Sequence, residues 1–131
     1  MSEIVVAIIE NNNKILLVRR KYIEEKFHWQ FPGGRIEEGE NENQAVEREV
    51  FEETNINCKA VRKIGERIHP NTCRTVSYWF CSYISGDAYV KDSKELDAVR
   101  WMFPPDVFKY VTSDIFKPIK QYLLNKENEF D

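Results

Sequence analysis

The sequence predicts an α+β fold, built as an α/β/α sandwich with a mixed central sheet. Three observations point there. Short β-branched runs stand on both sides of one strongly marked helix at 41–54. The segment Thr75 to Ile84 (TVSYWFCSYI) alternates without a polar face, with Val76, Tyr78 and Phe80 on one side and Trp79, Cys81 and Tyr83 on the other. Such a strand needs cover on both faces, as in the middle of a sheet. A second helical pattern, with Ile115, Ile119, Tyr122 and Leu123 on one stripe, falls at 114–124.

In chain order, Ile4 to Ile9 and Lys14 to Arg19 are short apolar runs separated by Asn11-Asn12-Asn13, residues that tolerate positive φ, so a β-hairpin is expected. Phe27 to Phe31 reads as a third strand, stopped by Pro32-Gly33-Gly34. The helix at 41–54 carries a capping box, Asn41 with Gln44, and ends at Asn55, where positive φ is often required. Its stripe of Val46 and Val50 is suited to face a sheet. Strands follow at Asn57 to Glu66, at Thr75 to Ile84 and at Leu96 to Phe103, the last ended by Pro104-Pro105. His69-Pro70-Asn71-Thr72 forms a turn between the first two. Pro118 belongs in or near the first turn of the last helix, and the Asn- and Glu-rich tail is expected to fray.

With 131 residues, 42% hydrophobic and 31% charged, the chain reads as a single domain, 1–131. Its 3 Trp, 6 Tyr and 8 Phe build a core without metal or disulfide staples. A net charge of −3 carries no strong nucleic-acid footprint. No apolar run approaches the ~18–20 residues of a membrane span, and MSEIVVAIIE lacks the features of a secretory signal. Cys58, Cys73 and Cys81 are odd in number with no CxxC spacing, which favours small buried hydrophobes, reduced, in a cytoplasmic protein.

Chemistry enters on the 41–54 helix. Glu49, Glu52 and Glu53 stand at i, i+3 and i+4, so they share one face within a single turn. Three like charges there repel unless something positive joins them. Oxygen ligands of this kind suit a hard divalent cation shared with substrate phosphates; the alternative is a solvated charged face with Arg48 as counter-ion. Upstream, Phe31-Pro32-Gly33-Gly34 ends a strand and lets backbone approach a ligand closely, while Gly39-Glu40 leads into the helix.

Together, Gly34, five residues, Glu40, seven residues, then Arg48-Glu49-Val50-Phe51-Glu52-Glu53-Thr54-Asn55-Ile56 resembles the Nudix box of the Nudix hydrolases. Asn55 stands where the box has its final Gly, a mild departure because Asn tolerates positive φ. The flanking WQFPGGRIEEGE is similar to the MutT type within that family. The resemblance implies the Nudix α/β/α sandwich and a site carried over position by position. Glu49, Glu52 and Glu53 match the metal-binding glutamates, Gly34 or its neighbour Gly33 lends a carbonyl, and Arg48 matches an arginine that steadies a catalytic glutamate. Glu40 takes a structural or supporting role. Glu95, ahead of Trp101, matches a loop carboxylate that joins the metal or acts as base, with Asp92 and Asp97 as competitors. Arg20 resembles a phosphate-contacting arginine; its alternative is a solvated strand end. Phe31, Tyr78 and Trp79 could stack on a base or belong to the core, and His28 is a strand residue near the pocket.

The implied reaction is Mg²⁺-dependent hydrolysis of a pyrophosphate bond in a nucleoside diphosphate linked to a group X, with Mn²⁺ as the other cation. The leading substrate is a (d)NTP, cleaved to NMP and pyrophosphate. Thr112-Ser113-Asp114 occupies the place where MutT-type enzymes read the base with an asparagine, which weakens 8-oxoguanine specifically, and Pro70 points instead toward ADP-ribose. ADP-ribose or nucleotide-sugar cleavage, and a sensor that binds nucleotide without hydrolysis, are the alternatives; the intact glutamates favour hydrolysis. The expected partner is a small nucleotide, with a homodimer left open.

Overall fold

A computed structural model of the chain describes residues 2–21 and 27–128. The expected hairpin is present. Strands β1 (Ile4–Asn11) and β2 (Lys14–Lys21) meet at Asn12 and Asn13, whose φ angles of 52° and 66° are those a two-residue hairpin turn needs. β1 is registered with β2 at its far end, Glu10 opposite Ile15 and Asn11 opposite Lys14. Nearer its start, β1 pairs instead with β4 (Gly33–Arg35). The sheet therefore divides around β1, and the residues that follow β3 (Phe27–Gln30) pair with the start of β1 at that division.

β4 corrects the expectation that Pro32-Gly33-Gly34 merely stops a strand. Gly33 lies opposite Val6, and a Cβ on it would come within 2.1 Å of the Val5 carbonyl oxygen. Only a residue without a side chain can pack here, and a three-residue strand forms because Gly33 can.

Helix α1 (Glu42–Thr54) starts as its sequence dictates. The Asn41 side chain accepts from the Gln44 N–H at 2.9 Å, and the Gln44 side chain accepts from the Asn41 N–H at 3.0 Å. It ends at Asn55 in the left-handed region, φ 67°, with the Asn55 N–H bonded to the Phe51 carbonyl. Replacing Asn55 by Ala should cost about 1–2 kcal/mol, since Ala pays the full left-handed penalty. A chemical-denaturation midpoint measures it, and an unchanged midpoint would show that the cap carries no stability.

β5 (Asn57–Ile68), β6 (Thr75–Ser85) and β7 (Leu96–Met102) complete the sheet, in the order β3-β2-β1-β6-β5, with β7 alongside β2. β1 and β6 run parallel and the other pairs antiparallel, so the sheet is mixed. Between β5 and β6 the chain turns at residues 69–74, as expected, with the Cys73 N–H bonded to the His69 carbonyl at 2.8 Å. Cys73 is exposed there at φ 61°, not buried as expected, because the turn lifts it off the sheet; Cys58 and Cys81 are buried.

Two helices follow β7, where one was expected. α2 (Pro104–Tyr110) begins with the two prolines read as a strand stop, because a missing N–H costs nothing in a first helical turn. α3 (Lys117–Asn128) starts three residues later than expected, with Pro118 in its first turn. Residues 114–116 are occupied elsewhere: Asp114 by Arg67, and the Phe116 ring by Tyr78, stacked at 4.7 Å. α3 also runs past Leu124; of the tail expected to fray, residues 129–131 lie outside the described residues.

Period-two alternation sends side chains to two cores. Val5, Ala7, Ile9 and Leu16 pack with Val46 and Val50 of α1, while Ile8, Ile15 and Leu17 pack with Tyr78, Ile119 and Leu123 on the other face. Each fully buried aliphatic contributes about 1.5–3 kcal/mol, and this burial presses α1 against β1 and β4. No helix among the described residues is long and apolar enough to cross a membrane.

Candidate active site

With Val46 and Val50 buried, helical geometry grades the three glutamates from core to solvent. Glu53 is 2% exposed, Glu49 is partly covered, and the Glu52 side chain is 55% exposed. Glu53 Oε1 accepts the Gly33 N–H at 3.0 Å, and its Oε2 lies 2.8 Å from Arg20 Nη2. Burial pushes the Glu53 carboxyl up to about 7, against the pull of Arg20 and the Gly33 N–H. Burial also raises Glu49, although Arg48 Nη1 stands 2.9 Å away.

Arg48 ties the loop to the helix. Its Nε and Nη2 grip both oxygens of Glu40 at 2.6 and 2.9 Å, Nη2 reaches the Arg35 carbonyl at 3.0 Å, and Nη1 bridges Glu49 and Glu52. The guanidinium holds Glu40 below the usual carboxylate range. Glu40 is thus the partner of Arg48 in the structure, and Arg48 is the positive charge between Glu49 and Glu52 on the turn.

Of the two glycines, Gly33, not Gly34, supplies backbone to the buried carboxylate. Its N–H goes to Glu53 and its carbonyl to Arg20 Nη2 at 2.8 Å. Gly34 contributes through bareness: a Cβ there would fall 2.5 Å from the Glu49 carboxyl carbon. Arg20 lies inward with Glu53 and is no solvated strand end. Its Nε donates to Gln30 Oε1 at 2.9 Å. Gln30 was not singled out from the sequence; its signal is strand alternation, since it lies on the face of β3 that Val18 and Arg20 present from β2.

Glu95 arrives from the loop before β7, its carboxylate 66% exposed and 3.5 Å from Arg20 Nη1, and its carbonyl accepts the Lys21 N–H at 2.8 Å. Its competitors are placed elsewhere. Asp92 builds the turn by accepting the N–H groups of Lys94 and Glu95, while Asp97 pairs with Arg19 at 2.6 Å. Phe31 and Tyr78 lie in the core on the sheet face away from α1, where the Tyr78 hydroxyl accepts from Arg67 Nε at 3.1 Å. Trp79, on the α1 side, donates to Glu42 at 3.1 Å.

The donor chemistry fits a hard divalent cation: two desolvated carboxylates, a third at the rim, and a carbonyl beside them. Among the described residues no three acidic, His or Cys side chains are already grouped at a spacing that holds one ion; Glu53 is paired with Arg20 and Glu49 with Arg48.

A mixed sheet between helices, with a glycine bend against a carboxylate-bearing helix turn, defines a class of phosphate-handling domain. The chain belongs to the Nudix hydrolase family: the NUDIX domain model matches residues 2–122. Members of that family generally use divalent cations. A Bacillus subtilis (strain 168) relative, provisionally named 8-oxo-dGTP diphosphatase, is 32% identical over 99 residues, covering 76% of this chain and 64% of its own. The CTP pyrophosphohydrolase of Escherichia coli (strain K12) is 29% identical over 113 residues, 84% of this chain and 82% of its own. The ADP-ribose pyrophosphatase of Methanocaldococcus jannaschii is 42% identical over 64 residues, 49% of this chain and 38% of its own. The chain thus spans under two thirds of the Bacillus protein. Among solved structures, the crystal structure of a NUDIX hydrolase from Nitrosomonas europaea superposes with a TM-score of 0.81 at 21% identity, over 98% of this chain and 74% of that one.

Proposed function

We propose that the chain hydrolyses a pyrophosphate bond in a nucleoside diphosphate-X substrate, cleaving a (d)NTP to NMP and pyrophosphate. The observation that carries this reading is the buried Glu53 carboxylate, one turn from Glu49 and locked to the Gly33 backbone. Glu49, Glu52, Glu53 and the Gly33 carbonyl are the proposed ligands. A divalent cation held there, Mg²⁺ or Mn²⁺, would supply charge neutralisation at the phosphate oxygens and an activated water. Arg48 keeps the ligand turn in place, and Arg20 grips a phosphate oxygen. Glu95, exposed at the cleft, takes the proton of the attacking water. Phe31 and Tyr78, buried in the core on the other sheet face with Tyr78 stacked on Phe116, make no substrate contact in this reading.

The E. coli and Bacillus relatives, named for nucleoside triphosphate substrates, support the triphosphate reading. The Methanocaldococcus relative, named for ADP-ribose, supports the second. A nucleotide sensor would have no use for three carboxylates. On this reading the chain works in the cytoplasm as a single domain on a small nucleotide, as monomer or homodimer.

A panel of nucleoside triphosphates, ADP-ribose, dinucleoside polyphosphates and nucleotide sugars tests it. Pyrophosphate release from a triphosphate is the expected result, AMP from ADP-ribose would favour the second reading, and nucleotide binding without turnover of any compound would overturn both.

A further inference from the structure

Arg20 stands on the atoms that a cation would need. One nitrogen, Nη2, reaches both the Gly33 carbonyl oxygen and Glu53 Oε2 at 2.8 Å. Strand geometry aims it there. Arg20 lies on the same face of β2 as Leu16, which packs under α1, and Gln30 anchors Nε from the neighbouring strand. Consecutive residues of β2 point to opposite faces, so Arg19 pairs with Asp97 on one side while Arg20 turns to Glu53 on the other, at the point where the β2–β7 register shifts. A carboxylate buried as deeply as Glu53 needs a positive partner, and the guanidinium supplies it. A divalent cation on the same oxygens would compete for those lone pairs and repel the guanidinium at close range.

Resting on the assignment of Glu53 and the Gly33 carbonyl as cation ligands, we propose that Arg20, pivoted on Gln30, is the counter-cation of the metal-free site and that a divalent cation loads by displacing it. Gln30 is then a positioning residue: it keeps the guanidinium pointed at Glu53. Once displaced, the guanidinium retains its Gln30 bond and faces Glu95 and the open side of the cleft, where a substrate phosphate would meet it.

The test is Mn²⁺ binding without nucleotide, followed by the electron paramagnetic resonance signal of free Mn²⁺ at about pH 8.5, above the Glu53 carboxyl. Arg20→Met should bind Mn²⁺ at least ~fivefold more tightly than the wild type, the usual lower range for a coupling between neighbouring sites. Gln30→Leu should shift the affinity the same way by a smaller factor. In chelator, Arg20→Met should melt below the wild type and regain more of its melting temperature on adding Mn²⁺. Equal or weaker Mn²⁺ binding by Arg20→Met overturns the proposal. If that variant does not fold, unchanged or weaker binding by Gln30→Leu overturns it. The ligand assignment is tested separately, because Glu53→Gln should lose Mn²⁺ affinity. Wild-type affinity in that variant removes the assignment and the displacement with it.

Discussion

Glu53→Gln should lower kcat by roughly 10²–10⁴-fold, the several kcal/mol that a metal-supported transition state loses with one ligand. The fold should survive, because the Gln side-chain oxygen can still accept the Gly33 N–H now taken by Glu53 Oε1. The substitution should also change how stability responds to pH in metal-free protein. Burial holds the wild-type carboxyl at about 7, above its ordinary value of 4.5. The folded state therefore binds the Glu53 proton more tightly than the unfolded state does. That contribution to stability is complete below about pH 4.5 and is lost as pH rises through 7. The loss is on the order of 2–3 kcal/mol in chelator, and the Gln variant, with no proton to release, should escape it. Urea titrations from pH 5 to about pH 8.5, with turnover assayed in parallel, decide both points. Unchanged turnover would remove Glu53 from the reaction, and parallel pH curves would show that its burial costs nothing.

Gly33→Ala should be strongly destabilising. The added Cβ would meet the Val5 carbonyl oxygen at 2.1 Å and the Val6 Cα at 2.9 Å, both backbone atoms of the central strand. β4 must then peel from β1, carrying away the N–H that holds Glu53 and the carbonyl that holds Arg20. The expected cost is about 3 kcal/mol or more, the upper range for overpacking. Gly34→Ala is the informative contrast. Its Cβ would meet the end of the Glu49 side chain at 2.5 Å, which can swing aside. Stability should change little while the cation requirement rises. Denaturation midpoints for the two variants, with activity titrated against Mg²⁺, separate them. A Gly33→Ala protein as stable as the wild type would mean that β4 does not depend on that close approach.

These effects differ in how far they could be read from the chain. The helix that carries the carboxylates was legible because its signals are local. Asn41 and Gln44 form their box within one turn, Asn55 reverses the backbone at the next residue, and the spacing of Glu49, Glu52 and Glu53 translates directly into a shared face. β1, β2 and β6 were legible for the same reason, since β1 and β2 announce themselves as short apolar runs and β6 by two apolar faces. β4 was not, because three residues hold no period; the strand exists only where Val5 and Val6 come to meet it. α2 hid behind prolines that read equally well as a strand stop or a first helical turn, and packing of Val107 into the core chose the helix.

At the site the division is similar. That Glu49, Glu52 and Glu53 share one helix face beside Arg48 follows from covalent spacing; that the glycine bend belongs with them follows from the resemblance to the Nudix box. Which glycine offers its backbone, which way Arg20 turns, that Gln30 steadies it, and that Asp97 faces away from Glu95 all depend on the register of β2 against β3 and β7. Register is a property of strands many residues apart, where a one-residue slip sends every side chain to the opposite face. The kinds of groups and their order were written along the chain, and only the paired sheet decided which of them touch.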